Sequence, residues 1–212
     1  MRSPADILYN FHWIVPGEAA RSAQAYAGFL GPFLRRRKIA TLINLRGANP
    51  RWGWWHYERR VCAKNGIAHR DVKMNSRRLP TRAMLLDLLQ AFDEAERPFL
   101  LKCSGGQDRT SFAAALYLLH TRGLAVRPEA EAQFARWPYL HIPKQHQRWL
   151  KMFVGFIEEH IDSRPLRDWL ASVYEPEQFK AWLEARGLGD AFRGLYEPPK
   201  SRVMTGDARH TA

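Results

Sequence analysis

One stretch of this sequence carries most of its chemistry: Lys102-Cys103-Ser104-Gly105-Gly106-Gln107-Asp108-Arg109-Thr110-Ser111, a cysteine and an arginine separated by five residues. A segment of that length can curl so that successive backbone N–H groups point inward at a tetrahedral oxyanion, and Gly105 and Gly106 are expected to supply the backbone angles and close approach that such a nest needs. A helix beginning at the arginine adds about half a positive charge at the same place. Arg109 brings a planar fork able to hold two phosphoryl oxygens at once, which lysine could not do. Cys103, facing the same amides and charge, is expected to be a thiolate nucleophile at neutral pH. Ser104 and Gln107 complete the wall of the cradle.

Such a loop works only if both of its ends are held. Residues 98–102 read as a strand apolar enough to be covered on both faces, with Cys103 at its carboxyl end. Residues 110–120 read as a helix with a small face of Ala113, Ala114 and Ala115 and a larger one of Phe112, Leu116 and Leu119. Upstream, 41–45 is a β-favourable run closed by the turn formers Arg46-Gly47-Ala48-Asn49-Pro50. A helix over 52–64 stops at Asn65-Gly66, and an extended piece over 68–74 leads into a polar loop over 75–80. Thr81 then caps a helix bearing Met84, Leu85, Leu88, Leu89 and Phe92. This alternation predicts an α/β fold with a short, mostly parallel central sheet flanked by helices, whose ligands bind at the carboxyl ends of the strands. Beyond Gly123 helices are predicted over 128–137, 144–160 and 176–186. The chain divides on this reading into a catalytic domain over 1–160, a helical C-terminal extension over 161–199 and a disordered polar tail over 200–212.

The 212 residues, 46% hydrophobic and 25% charged, suffice for one substantial core. Two cysteines, Cys62 and Cys103, can build neither a disulfide scaffold nor a four-cysteine zinc site, so a reducing, cytoplasmic setting is expected. Asp6, Asn10, His12, Pro16 and Glu18 interrupt the opening segment, which excludes a signal peptide pattern, and no stretch reaches the roughly 18 apolar residues of a membrane span. Thirty-three Lys and Arg against 21 Asp and Glu leave a charge of +12, which concentrates anions. Nucleic acid, anionic lipid, phosphoprotein and small phosphate ester all suit that field. No nucleic-acid motif accompanies it, and Arg35-Arg36-Arg37-Lys38 reads as a solvated face.

The loop resembles the signature H-C-x5-R-[ST] of the cysteine-dependent protein tyrosine and dual-specificity phosphatases, in particular the atypical bacterial and fungal group whose loop ends D-R-T, and is similar to loops of phosphoinositide phosphatases. Pro16-Gly17, Arg21-Ser22-Ala23-Gln24, Leu42-Ile43-Asn44-Leu45-Arg46 and Gly66-Ile67 support the resemblance, which spans about residues 14–122. It implies a protein tyrosine phosphatase-like fold and a two-step transfer without metal or cofactor, in which Cys103 attacks phosphorus and water hydrolyses the phosphocysteine. Thr110 would stabilise the departing thiolate. The implied partner is a phosphorylated protein or a small anionic phosphate ester, with phosphate or sulfate ion fitting the same loop.

Two positions depart from the family pattern. Lys102 stands where histidine is usual, and either lowers the thiol's proton affinity by its charge or extends to solvent. The loop Asn75-Ser76-Arg77-Arg78-Leu79 lacks the aspartate that serves the family as general acid, which leaves Asp108 inside the cradle, or Asp71 on the preceding strand. Arg77 and Arg78 are expected to border the pocket and engage acidic groups near the phosphate. Arg46 ends a strand on the same edge. Cys62 is the one possible disulfide partner of Cys103, and a buried apolar role suits it better. The cluster of Trp52, Trp54, Trp55 and Tyr57 reads as helix packing, whereas Gln145, His146, Gln147 and Trp149 could return to position a water molecule. A rhodanese-type sulfurtransferase uses a shorter loop, low-molecular-weight phosphatases and arsenate reductases carry theirs near the N-terminus, and a silent phosphate-binding module is the non-enzymatic alternative.

Overall fold

The run Phe99-Leu100-Leu101-Lys102 forms the middle strand of a five-stranded sheet in the computed structural model of the chain, which describes residues 3–25 and 28–192. Strands β1 (His12–Val15), β2 (Ala19–Ser22), β3 (Thr41–Asn44), β4 (Ala68–Asp71) and β5 (Phe99–Lys102) lie in the order β1-β2-β5-β3-β4. The pairs β2–β5, β5–β3 and β3–β4 are parallel, and β1 runs antiparallel to β2 at one edge. The expected mostly parallel sheet is therefore present, with an added edge hairpin. That hairpin has no clear sequence signature, because every residue of β1 is half-buried and none alternates.

Side chains of successive strand residues point to opposite faces, and the two cores follow that alternation. Ala20, Leu42 and Leu100 face helices α1 (Pro4–Leu8), α2 (Leu30–Arg36) and α3 (Gly53–Lys64). Ala19, Ile43, Phe99 and Leu101 face the larger layer: α4 (Arg82–Glu94), α5 (Asp108–Arg122), α6 (Arg127–Ala132), α7 (Trp149–His160), α8 (Leu166–Ser172) and α9 (Pro176–Ala185). Helix α5 is buried all round from Thr110 to Leu119, and each large apolar side chain such as Phe112 or Leu116 contributes about 1.5–3 kcal/mol by leaving water. Burial of this kind fixes the helix whose first turn carries Asp108 and Arg109.

The helix expected over 128–137 is short, since the chain turns before Trp137-Pro138, where a proline disfavours helical backbone in its predecessor. The one expected over 144–160 opens as a single tight turn, Gln145–Gln147, ahead of α7. The helical extension assigned from 161 shares the larger core through Leu166, Trp169, Tyr174, Phe179 and Leu183. It also braces the loop over 75–80: the Tyr174 hydroxyl donates to the Pro80 carbonyl at 2.6 Å and Arg82 donates to the Tyr174 carbonyl at 3.0 Å. Thr81 caps α4 as expected, accepting from the Met84 amide at 3.2 Å. The tail over 200–212 lies outside the described residues. Among the described residues no helix is long and apolar enough to cross a membrane.

Candidate active site

Cys103 leaves β5 at the sheet's carboxyl edge, and five residues later α5 begins at Asp108, so the loop is spanned between two buried elements. Its carbonyls are pulled outward. Gln24 N–H donates to the Ser104 carbonyl at 3.1 Å, the Asn10 amide and the Arg21 guanidinium donate to the Gly106 carbonyl at 3.1 and 3.0 Å, and the Thr110 hydroxyl donates to the Gln107 carbonyl at 3.1 Å. In a trans peptide the N–H opposes the C=O, so this turns the N–H groups of Gly105, Gln107 and Asp108 toward the inside.

Gly106 has a φ of +63°, and a Cβ there would sit 2.5 Å from the Ala23 nitrogen. Gly105 differs from expectation: it keeps an ordinary φ, and its nearest neighbour to a Cβ would be the Gln107 side chain at 3.7 Å. Only one of the two glycines is therefore required by the backbone. Gly106→Ala is expected to destabilise the fold by more than about 2 kcal/mol, seen as a lowered thermal midpoint, and Gly105→Ala by less than about 1 kcal/mol. Equal effects of the two substitutions would contradict this account of the loop.

The loop floors a cleft of about 330 Å³ bordered by Cys103, Arg109, Asp108, Arg77, Ser76 and Gln147. Cys103 is 3% exposed at its base, with Sγ 3.9 Å from the Thr110 hydroxyl. Arg109 donates to the Ser104 hydroxyl at 3.2 Å, which leaves its guanidinium at the cleft wall. Asp108 is held from the far side: Gln147 donates to Oδ2 at 2.8 Å, and His141 Nε2 lies 3.3 Å from Oδ1. Gln147 also donates to the Ser76 hydroxyl, and the Trp149 indole donates to the Ser76 carbonyl, both at 3.2 Å, which ties the 75–80 loop to α7 and its leading turn. Arg77 borders the cleft on that loop; Arg78, expected beside it, does not.

Lys102 does not extend to solvent. It is 2% exposed and turned beneath the loop, with Nζ 2.6 Å from Glu58 Oε2 and donating to Gln24 Oε1 at 2.8 Å. Glu58, on α3, also accepts from Gln24 at 2.7 Å and pairs with His69 at 2.9 Å. Burial pulls the Lys102 ammonium down to about 8, against the attraction of Glu58. Burial alone would push the Glu58 carboxyl up, but the hydrogen bond from His69 and the charge and hydrogen bond of Lys102 outweigh it and hold that carboxyl below the usual range. Arg21 is likewise fully buried, and burial pulls it down to about 10. Two buried cations, Arg21 and Lys102, thus lie beneath the Cys103 loop.

Asp71 lies away from the cleft. Its carboxylate accepts from Asn44 at 2.5 Å and from the Trp55 indole at 2.9 Å, and it does not border the cleft. Arg46 lies over the Trp54 ring at 3.5 Å and donates to Gln24 at 3.3 Å, so it supports the Lys102 network. Of the tryptophans expected to pack on the helix, Trp55 is buried and Trp54 half-buried, the latter also a platform for two of the chain's own cations, Arg46 and Lys102, whereas Trp52, preceding α3, is exposed. Cys62 sits in the core on the other sheet face, unbonded to Cys103, and burial pushes its thiol up to about 12.

Cys103, Asp108, Arg109 and Thr110, which the sequence picks out, lie together at this loop, whereas Arg21, Glu58 and His141, which support it, are not picked out. Arg21 stood in a supporting stretch with no role attached, Glu58 lay inside an aromatic helix, and His141 carried no signal, because its contacts are made across the fold. Gln147 was singled out by composition and does reach the cleft.

No family model and no curated protein matches the sequence. Solved structures do. TpbA from P. aeruginosa superimposes with a TM-score of 0.58 at 22% identity, over 81% of this chain and 100% of that one. Tk-PTP in a mutant form gives 0.52 at 19%, over 68% and 94%. The core catalytic domain of the PP-IP phosphatase SIW14 from S. cerevisiae, in complex with citrate, gives 0.51 at 17%, over 84% and 93%. TpbA has also been solved as a cysteine-to-serine variant in complex with pTyr, which matches with a TM-score of 0.54 at 19% identity over 81% and 99%.

Proposed function

From a chain with the fold of the cysteine-dependent tyrosine and dual-specificity phosphatases, we propose that it hydrolyses phosphate monoesters through a phosphocysteine on Cys103. One observation carries the reading: the Cys103 sulfur, the Arg109 guanidinium and the Asp108 carboxyl border one cleft at the first turn of a buried helix. The cleft holds a nucleophile, a bidentate oxyanion binder and a proton donor, which are the three functions that displacement at phosphorus needs.

Cys103 attacks in line while Arg109 and the inward amides of Gly105, Gln107 and Asp108 bind the oxygens. Arg21 and Lys102 offset the charge on sulfur from beneath. Asp108 protonates the leaving oxygen, a role favoured over Asp71 because the latter is bound to Trp55 and Asn44 outside the cleft. Thr110 stabilises the thiolate as water displaces it. Arg77, on the bordering loop, is placed to meet further negative charge on a substrate, which suits phosphorylated protein or another anionic ester. Such a thiol requires a reducing setting, in keeping with a cytoplasmic location.

Turnover of para-nitrophenyl phosphate by the wild-type protein, lost by at least about 10³-fold in Cys103→Ser, is the expected result. Wild-type inactivity with retained binding of phosphopeptide would instead identify a silent phosphate-binding module. A panel of phosphopeptides, phosphoinositides and nucleotides then ranks substrate classes by kcat/KM.

A further inference from the structure

Asp108 is not the whole of the acid. We infer that His141 and Asp108 share one proton, making His141 the positioning residue that keeps Asp108 ready to protonate the leaving group; this rests on the phosphatase reading above. His141 is 5% exposed. Its Nδ1 lies 3.1 Å from the Phe134 carbonyl, which can only accept, so Nδ1 carries a hydrogen. Nε2 is then left facing Asp108 Oδ1 at 3.3 Å, off the line of a formed hydrogen bond and without another partner in the described structure.

Consider the possible protonation states. With a neutral imidazole and an ionised carboxylate, the lone pair of the buried Nε2 faces a lone pair of Oδ1, and Nε2 is left unsatisfied. A single proton between them, on Oδ1 or on Nε2, removes that conflict. The other carboxylate oxygen is already fixed by Gln147, whose own amide is oriented by the Lys144 N–H donating to Oε1 at 3.1 Å. The carboxyl therefore has a set orientation, one donor on Oδ2 and a proton-sharing partner on Oδ1. Catalytic hydrogen bonds of this sort are often long in the resting enzyme and tighten with substrate bound.

The reaction balances on that one proton. In the first step the Cys103 sulfur–phosphorus bond forms, the phosphorus–oxygen bond to the leaving group breaks, and the pair's proton passes through Asp108 to the leaving oxygen. In the second, water bonds to phosphorus as the sulfur–phosphorus bond breaks, one water proton returns to Asp108, and the pair regains its starting state.

Leaving-group dependence separates this role from a structural one. In His141→Gln, the loss of kcat on phenyl phosphate, a poor leaving group, is expected to exceed the loss on para-nitrophenyl phosphate by at least tenfold, and Asp108→Asn with His141→Gln is expected to lose no more than Asp108→Asn alone. Equal losses on the two esters, or additive losses in the double variant, overturn the shared proton while leaving the phosphatase intact. A wild type inactive on both esters overturns the phosphatase reading and this role with it. A measurement that does not depend on the variant at 141 is the spectrum of protein labelled with ¹⁵N-histidine: a far-downfield proton on His141 Nε2 in the wild type, absent in Asp108→Asn, is expected, and its absence from the wild type overturns the proposal.

Discussion

Arg109→Lys is expected to lower turnover of para-nitrophenyl phosphate by about 10³-fold, equivalent to about 4 kcal/mol of transition-state stabilisation, while leaving the thermal midpoint nearly unchanged. The two halves of this expectation have separate causes. Arg109 is half-exposed at the cleft wall and, among the described residues, its one side-chain hydrogen bond, to the Ser104 hydroxyl, lies at the surface, so folding has little stake in it. Catalysis has a large one, because the planar fork can match two oxygens of a phosphoryl group that flattens as it transfers, whereas an ammonium on a flexible stem offers a single point charge. The deficit should fall mainly on kcat, since the geometry being matched is that of the transition state. Steady-state kinetics beside a melting curve would check both halves. A loss below tenfold, or a loss confined to KM, would remove Arg109 from the role assigned to it.

The arginine could be read directly because its partner groups are neighbours in the chain: cysteine, glycines, aspartate and threonine occur within a few residues, and local backbone geometry gives their spacing a chemical meaning. Strand β5 and helix α5 were equally legible, since an apolar run and a buried helix follow from composition alone. What stayed hidden depends on contacts between distant segments. Arg21 became a structural donor to Gly106, Gln107 and Ser111 only when β2 paired with β5. His141 meets Asp108 through a turn after α6 that has no periodicity to detect. Asp71 was a reasonable candidate by position, and it took the approach of Trp55 from α3 to show the carboxylate already engaged. Lys102 was the hardest residue to place, because a lysine at the end of a strand ordinarily reaches water and its burial required an acid on α3 that no local pattern linked to it.

That burial leads to the second large effect. Lys102→Met is expected to destabilise the protein by about 3–5 kcal/mol, and Lys102→Met with Glu58→Gln to recover more than half of the loss. Removing the lysine alone leaves Glu58, 0% exposed, ionised without its countercharge. Glutamine in place of Glu58 keeps hydrogen-bonding groups for His69 and Gln24 but carries no charge, so the double variant has no uncompensated ion to bury. The same carboxylate predicts a pH dependence. Its affinity for a proton is lower in the folded state than in the unfolded chain, so the unfolded chain binds more protons around and below the ordinary value of 4.5. The stability it contributes is therefore complete above that value and lost as the pH falls through the lower, folded one. Urea midpoints of the wild type should drop more steeply with acid below pH 4.5 than those of the double variant. Destabilisation by Lys102→Met that the second substitution fails to relieve would mean that the lysine stem, not its charge, supports the floor of the cleft. In that case the positive charge beneath Cys103 would rest on Arg21.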